Sequence, residues 1–223
     1  VPKMNVEKGT YLLPAGVSFE VGVFIEPLAC VVRGQRLAEV GGGDTVLVIG
    51  SGVSGLLHVQ LAGVRGADKV IATDISTYKL NAAKKFGADE AVIADESMPE
   101  KVKEFNGGRL ADKVIVCAGA KSATEQAMRC VDRGGTILFF AVPPPGQDVA
   151  APLVDFWRNE VTLKTSYGAA PKDLEESLKL ISKKRLNVRQ MITHRFGLAD
   201  VQKAFELVAS GGDSLKVIIE PQK

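Results

Sequence analysis

Between residues 44 and 142, short apolar runs alternate with stretches whose apolar positions recur every three or four residues. The runs predict strands at about 45–49, 69–73, 90–94, 113–117 and 136–142. The periodic stretches predict helices at about 53–65, from Ser76 to Gly87, at about 97–105 and at about 121–132, the last ended by Gly134-Gly135. Buried strands separated by helices specify an α/β fold with a doubly wound parallel sheet. Right-handed crossovers and the usual order 3-2-1-4-5-6 put a ligand crevice at the carboxyl ends of strands 1 and 4. Pro143-Pro144-Pro145-Gly146 breaks the series, and Val161–Thr165 reads as an edge strand. Beyond Tyr167-Gly168 the rhythm changes. A helix at about 171–184, an extended piece at 191–196, a helix at about 198–210 and a strand at 215–219 read as another structural layer. Residues 1–18 show little periodicity; Ser18 is placed to cap a helix, and Pro27 suits the first turn of another.

The first strand runs into Gly50-Ser51-Gly52-Val53-Ser54-Gly55, a G-x-G-x-x-G turn between a strand and a helix. Gly50 permits the sharp turn, Gly52 lets a pyrophosphate approach the backbone, and Gly55 lets the helix pack closely on the strand. The helix start offers free N–H groups and the positive end of its dipole to phosphates. Asp74 ends the second strand 24 positions after Gly50, near the spacing of a carboxylate that grips an adenosine ribose. A purely structural turn would carry the same glycines. An S-adenosylmethionine-dependent methyltransferase would also use a glycine-rich turn and an acid after strand 2, although the strict glycine spacing favours a dinucleotide.

Composition narrows the field. With 28 basic and 26 acidic residues the formal charge is +2, which indicates neither a nucleic-acid nor a membrane partner. No apolar stretch reaches the length of a membrane span. Cys30, Cys117 and Cys130 are scattered and odd in number, which points to a reducing, cytoplasmic compartment. With two histidines, His58 and His194, the chain is a poor candidate for a complete zinc site. Glu26 sits between Ile25 and Pro27-Leu28, which suggests partial burial; a solvated or capping role competes with a functional one.

Several stretches form a set: Phe19-Glu20, Ile25-Glu26-Pro27-Leu28-Ala29, Gly43 through Gly52, Lys84-Lys85-Phe86-Gly87-Ala88, Cys117-Ala118-Gly119 and Ile192-Thr193-His194-Arg195-Phe196. Together they resemble the zinc-dependent medium-chain dehydrogenase/reductase family, nearest its sorbitol, threonine and glucose dehydrogenase branch. The resemblance implies a Rossmann domain inserted into a GroES-like catalytic domain. Residues 1–27 would be a remnant of the catalytic domain, 28–167 the NAD-binding domain, and 168–223 the return to the catalytic domain. The implied parent protein oxidises an alcohol or polyol by hydride transfer to NAD, with zinc as Lewis acid.

The family's N-terminal portion, with its Cys and His-Glu zinc ligands, has no counterpart before Glu26. The chain alone is therefore expected to be inactive and not to retain zinc. A stand-alone, non-catalytic NAD-binding module is the alternative. By resemblance Glu26 is a zinc ligand or a close neighbour of one, and Arg195 lies near cofactor or substrate, with a surface ion pair as the competing reading. By motif Gly50, Ser51, Gly52 and Val53 hold the pyrophosphate and Asp74 selects NAD over NADP. Lys79 is near the ribose or is simply an exposed helix lysine. Cys117, Ala118 and Gly119 line the crevice, and Ala141 and Val142 approach the nicotinamide. Pairing through strand 161–166 would give a homodimer or homotetramer, and Phe24, Ile192 and Phe196 are expected to be bared where the catalytic portion would sit.

Overall fold

The computed structural model describes residues 1–222. It begins with α1 (Lys3–Gly9), α2 (Phe19–Gly22) and α3 (Ile25–Leu37). Strands and helices then alternate: β1 (Thr45–Ile49), α4 (Val53–Val64), β2 (Lys69–Asp74), α5 (Thr77–Lys85), β3 (Glu90–Ile93), α6 (Met98–Phe105), β4 (Ala111–Val116), α7 (Lys121–Cys130), β5 (Val131–Phe139), α8 (Leu153–Arg158) and β6 (Thr162–Thr165). The chain ends with α9 (Pro171–Ser182), β7 (Ile192–Gly197), α10 (Val201–Ala209) and β8 (Lys216–Glu220).

The first six strands form one sheet in the order β3-β2-β1-β4-β5-β6, the expected doubly wound arrangement. Every pairing is parallel; Val48 of β1 faces Ala72 on one side and Ile115 on the other. Successive side chains of β1 point to opposite faces. Val46 and Val48 enter a core with Leu28, Val31 and Val32 of α3 and Leu56, Leu57 and Leu61 of α4. Leu47 and Ile49 enter the other, with Met98 and Val102 of α6 and Ala123 and Ala127 of α7. Both faces are covered, so β1 is buried along its whole length and is apolar from Val46 to Ile49.

The structure departs from the pattern at the junction of α7 and β5 and in its short helices. α7 stops at Cys130, and β5 starts at Val131, five residues before the expected strand. Gly134, at φ +68°, lies inside β5 and does not terminate the helix. Val131 pairs with Ala111, and the register shifts before Lys113 pairs with Thr136; a left-handed glycine absorbs that irregularity without strain. α1 carries no apolar stripe and buries no residue, and α8 buries only Phe156, so neither had a periodic signal. Ser18 stands at the N-cap of α2, but its side chain makes no capping hydrogen bond.

The tail forms its own two-stranded parallel sheet of β7 and β8. α9 lies against α3 and is tied to it through Asp173, which is 1% exposed. Its carboxylate accepts from Arg36 Nη2 at 2.8 Å and from the Ala170 N–H at 2.9 Å. Phe24 and Ile192 are buried by this packing, contrary to the expectation that they would be bare; Phe19, Val23, Leu198, Phe205 and Val208 are exposed instead.

Candidate nucleotide-binding crevice

The glycine turn sits where β1 gives way to α4. Gly50 has φ +95°, and a Cβ there would lie 3.0 Å from that of Ala118. At Gly55 a Cβ would meet the carbonyl oxygen of Gly50 at 1.8 Å, so only glycine lets α4 come this close to the strand. Gly52 differs: its φ is −71° and a Cβ there would meet nothing within 4 Å, so the space above it is open for a ligand. The three positions thus separate into turn, approach and packing roles, and α4 begins at Val53, directly after Gly52.

Beside the turn lies a cavity of about 200 Å³ lined by Ile49, Gly50, Thr73, Asp74, Ile75, Ala94, Ala118 and Ala120, among others. It is at the carboxyl ends of β1, β2 and β4, the crevice position for a doubly wound sheet. Asp74 is nearly buried at its edge. Its Oδ2 accepts from the Ser51 N–H at 2.7 Å and its Oδ1 from the Ser76 N–H at 2.9 Å. The acid thereby braces the glycine turn against the start of α5. Ser51 is fully buried, and its hydroxyl donates to the Thr73 carbonyl at 3.3 Å.

The other expected residues fall in different places. Ala118 lines the cavity; Cys117 is packed behind it against the core, its thiol pKa raised by burial. Gly119 packs tightly, since a Cβ would sit 3.2 Å from the Val142 carbonyl. Ala141 is fixed by its N–H to the Val116 carbonyl at 2.8 Å, and Val142 is exposed beside it. Lys79 does not line the cavity; its backbone N–H donates to the capping hydroxyl of Ser76. Pattern reading missed Asp95, Glu96, Gln126 and Arg129, which form the cavity's far side. Their signal was faint: two residues following β3, and two on one face of α7 at i, i+3.

Glu26 is exposed in the first turn of α3, not partly buried as its neighbours suggested. Leu28, Val31 and Val32 occupy the core face of that helix, which leaves Glu26 on the outer one. The Cys30 thiol donates to its Oε1 at 3.2 Å. Burial, then the hydrogen bond and charge of Glu26, push the Cys30 thiol up to about 12, so it stays protonated at neutral pH. Among the described residues no three His, Cys, Asp or Glu side chains gather to hold a metal ion. A catalytic zinc takes three protein ligands, so the donors present here do not fit one by themselves. Arg195 pairs with Glu20 at 2.8 Å, and His194 stacks on Phe196. No described helix is long and apolar enough to cross a membrane.

The comparisons converge on this geometry. Over 216 residues the chain is 31% identical to D-xylulose reductase of Saccharomyces cerevisiae, covering 94% of this chain and 60% of that protein. It is 33% identical over 213 residues to sorbitol dehydrogenase of Bos taurus, covering 94% of this chain and 59% of that protein. A Sinorhizobium meliloti structure with bound NADP superposes with a TM-score of 0.85 at 29% identity, over 95% of this chain and 62% of that one. The chain thus spans about three fifths of the length of these relatives. Residues 54–183 match the sequence profile of zinc-binding dehydrogenases. That match takes in more than half of the 223 residues, and the chain belongs to the zinc-binding dehydrogenase family.

Proposed function

We propose that the chain is the nucleotide-binding portion of an NAD-dependent polyol or alcohol dehydrogenase, which oxidises an alcohol to a carbonyl compound by hydride transfer to the nicotinamide. The observation that carries this reading is the open space over Gly52 beside the Asp74 edge of the crevice. The backbone of Gly50, Ser51, Gly52 and Val53 holds the pyrophosphate, and the α4 dipole favours its charge. Asp74 accepts the adenosine ribose hydroxyls and opposes a 2′-phosphate by like charge, which favours NAD over NADP. Residues 28–167 form the nucleotide domain, and 1–27 with 168–223 belong to a catalytic domain. Glu26 and Arg195 are this chain's contributions nearest the reacting alcohol. Three free thiols support a reducing, cytoplasmic setting.

The exposed edge of β6, flanked by Leu153 and Trp157, supports pairing of two copies. Calorimetric titration with NADH, NADPH and S-adenosylmethionine tests the cofactor reading. NADH should bind more tightly than NADPH. Asp74→Asn keeps an acceptor for the Ser51 N–H but removes the charge, and should narrow the difference. Equal affinity of the unmutated chain for the two cofactors would remove Asp74 from its role. Binding of S-adenosylmethionine in place of NADH would overturn the dehydrogenase reading.

A further inference from the structure

We propose that Gln126 and Arg129 of α7 are positioning residues for the adenine half of the cofactor, acting through the loop between β3 and α6; the inference rests on the nucleotide reading of the crevice. With the pyrophosphate at the turn after β1 and the ribose at Asp74, the base enters the cavity that Asp74 borders. There the cavity is bounded by Ile75, Ala94, Ala118, Ala120 and Ala123. These are one branched and four minimal side chains, which suit a flat ring held by its faces. The outer wall of that slot is Asp95-Glu96, and two successive contacts clasp it to one face of α7. Gln126 Nε2 donates to the Asp95 carbonyl at 3.1 Å, and Arg129 Nη1 pairs with the Glu96 carboxylate at 2.8 Å. Gln126 and Arg129 are one turn apart, so the two contacts act on adjacent loop residues from one rigid helix.

The loop is stiff on its other side as well. The Asp95 carboxylate accepts from the Ser97 N–H at 2.9 Å, from the Ser97 hydroxyl at 2.6 Å and from Lys101 Nζ at 2.6 Å. Gln126 is 6% exposed and lines the cavity, and its Oε1 has no partner among the described residues. An amide buried at that cost and half satisfied is explained by what it holds in place. The clasp therefore sets the width of the slot before the nucleotide arrives, and a preformed slot binds the base without the entropy of ordering a loop.

Titration of the 223-residue chain with AMP and with NADH tests this, together with thermal unfolding of each ligand-free variant. Arg129→Ala breaks an exposed pair and should weaken AMP about two- to fivefold. Gln126→Leu, similar in size, should weaken AMP about three- to tenfold. NADH should lose the same factor as AMP in each variant, because the loss is confined to the adenine half. Arg129→Lys, which keeps the charge, should recover part of the affinity. Unchanged AMP affinity in both variants would overturn the proposal. So would a loss of AMP affinity that appears only together with a lowered melting temperature of the ligand-free variant, which would make the contacts merely structural. Failure of the unmutated chain to bind AMP or NADH at all would instead bring down the nucleotide reading beneath it.

Discussion

At the scale of single residues, the glycines of one motif answer to different physics, and the difference is measurable. Gly52→Ala places a methyl in open space at an ordinary φ. The fold should be unharmed, or stabilised by about 0.4–1 kcal/mol through the unfolded chain, while NADH affinity falls about tenfold or more. Gly55→Ala drives a methyl into the Gly50 carbonyl, so α4 must move off the sheet; unfolding in urea should show a loss of about 3 kcal/mol or more. Equal stability of the two variants would refute this separation of roles. Buried His58 supplies a second residue-scale expectation. Its Nδ1 lies 3.3 Å from Gln35 Nε2, whose other contact is to the His58 carbonyl at 2.8 Å, so Nδ1 accepts and the ring is neutral. Burial, with the charge of Arg65 adding to it, lowers its pKa from 6.5 to about 3. Between those values the unfolded chain binds the extra proton. The stabilisation from the neutral ring is therefore whole above pH 6.5 and lost as pH falls toward 3, at up to about 1.4 kcal/mol per pH unit. Urea midpoints taken across that window should fall less steeply for His58→Leu than for the unmutated chain; parallel curves would discard the assignment.

Between elements, the contact of α3 with α9 is the one that pattern could not supply. The apolar stripe of α3 announced a buried helix, but its partner lies more than a hundred residues away. What aligns the two is polar. Asp173 is held by Arg36 at 2.8 and 3.3 Å and lies 3.8 Å from Arg33, while Ser177 donates to the Ile25 carbonyl at 2.7 Å. Burial alone would raise the Asp173 pKa, but the Arg36 hydrogen bond, the Ala170 N–H and the two guanidinium charges outweigh it and bring it below the usual carboxylate value. Asp173→Ala should cost about 2–3 kcal/mol in urea unfolding, because it leaves two half-buried guanidinium groups without their acceptor. Arg36→Lys should recover little of it, since one ammonium cannot reproduce the planar fork. A loss of less than about 0.5 kcal/mol for Asp173→Ala would show that apolar packing alone holds α9.

For the whole molecule, the open edge of the sheet is the feature with consequences. β6 pairs with β5 on one side only, and Trp157 and Leu153 are largely exposed next to it. A parallel edge strand flanked by apolar side chains is a template for a second copy about a two-fold axis. Light scattering at micromolar concentration should give a dimer mass. Trp157→Glu with Leu163→Glu should return a monomer, and a monomer mass for the unmutated chain would count against the arrangement.

The sheet and its turn were legible along the chain because their causes are local. A strand buried on both faces must be apolar throughout, a helix covering it must repeat its apolar positions every three or four residues, and a phosphate-sized approach to the backbone must be glycine. Those rules determined β1 to β4, the α4 turn and the place of Asp74. They failed where adjacency in sequence is not adjacency in space. Glu26 looked buried beside Ile25 and Leu28, yet helical rotation turns it outward. Gly134-Gly135 looked like the end of a helix, yet pairing with β4 draws it into a strand. Asp95, Glu96, Gln126 and Arg129 carry no joint signature, because only the stacking of β3 beside β2 and of α7 against the sheet brings them to one wall. Periodicity determines what each element does with its own neighbours; tertiary packing decides which elements share a site.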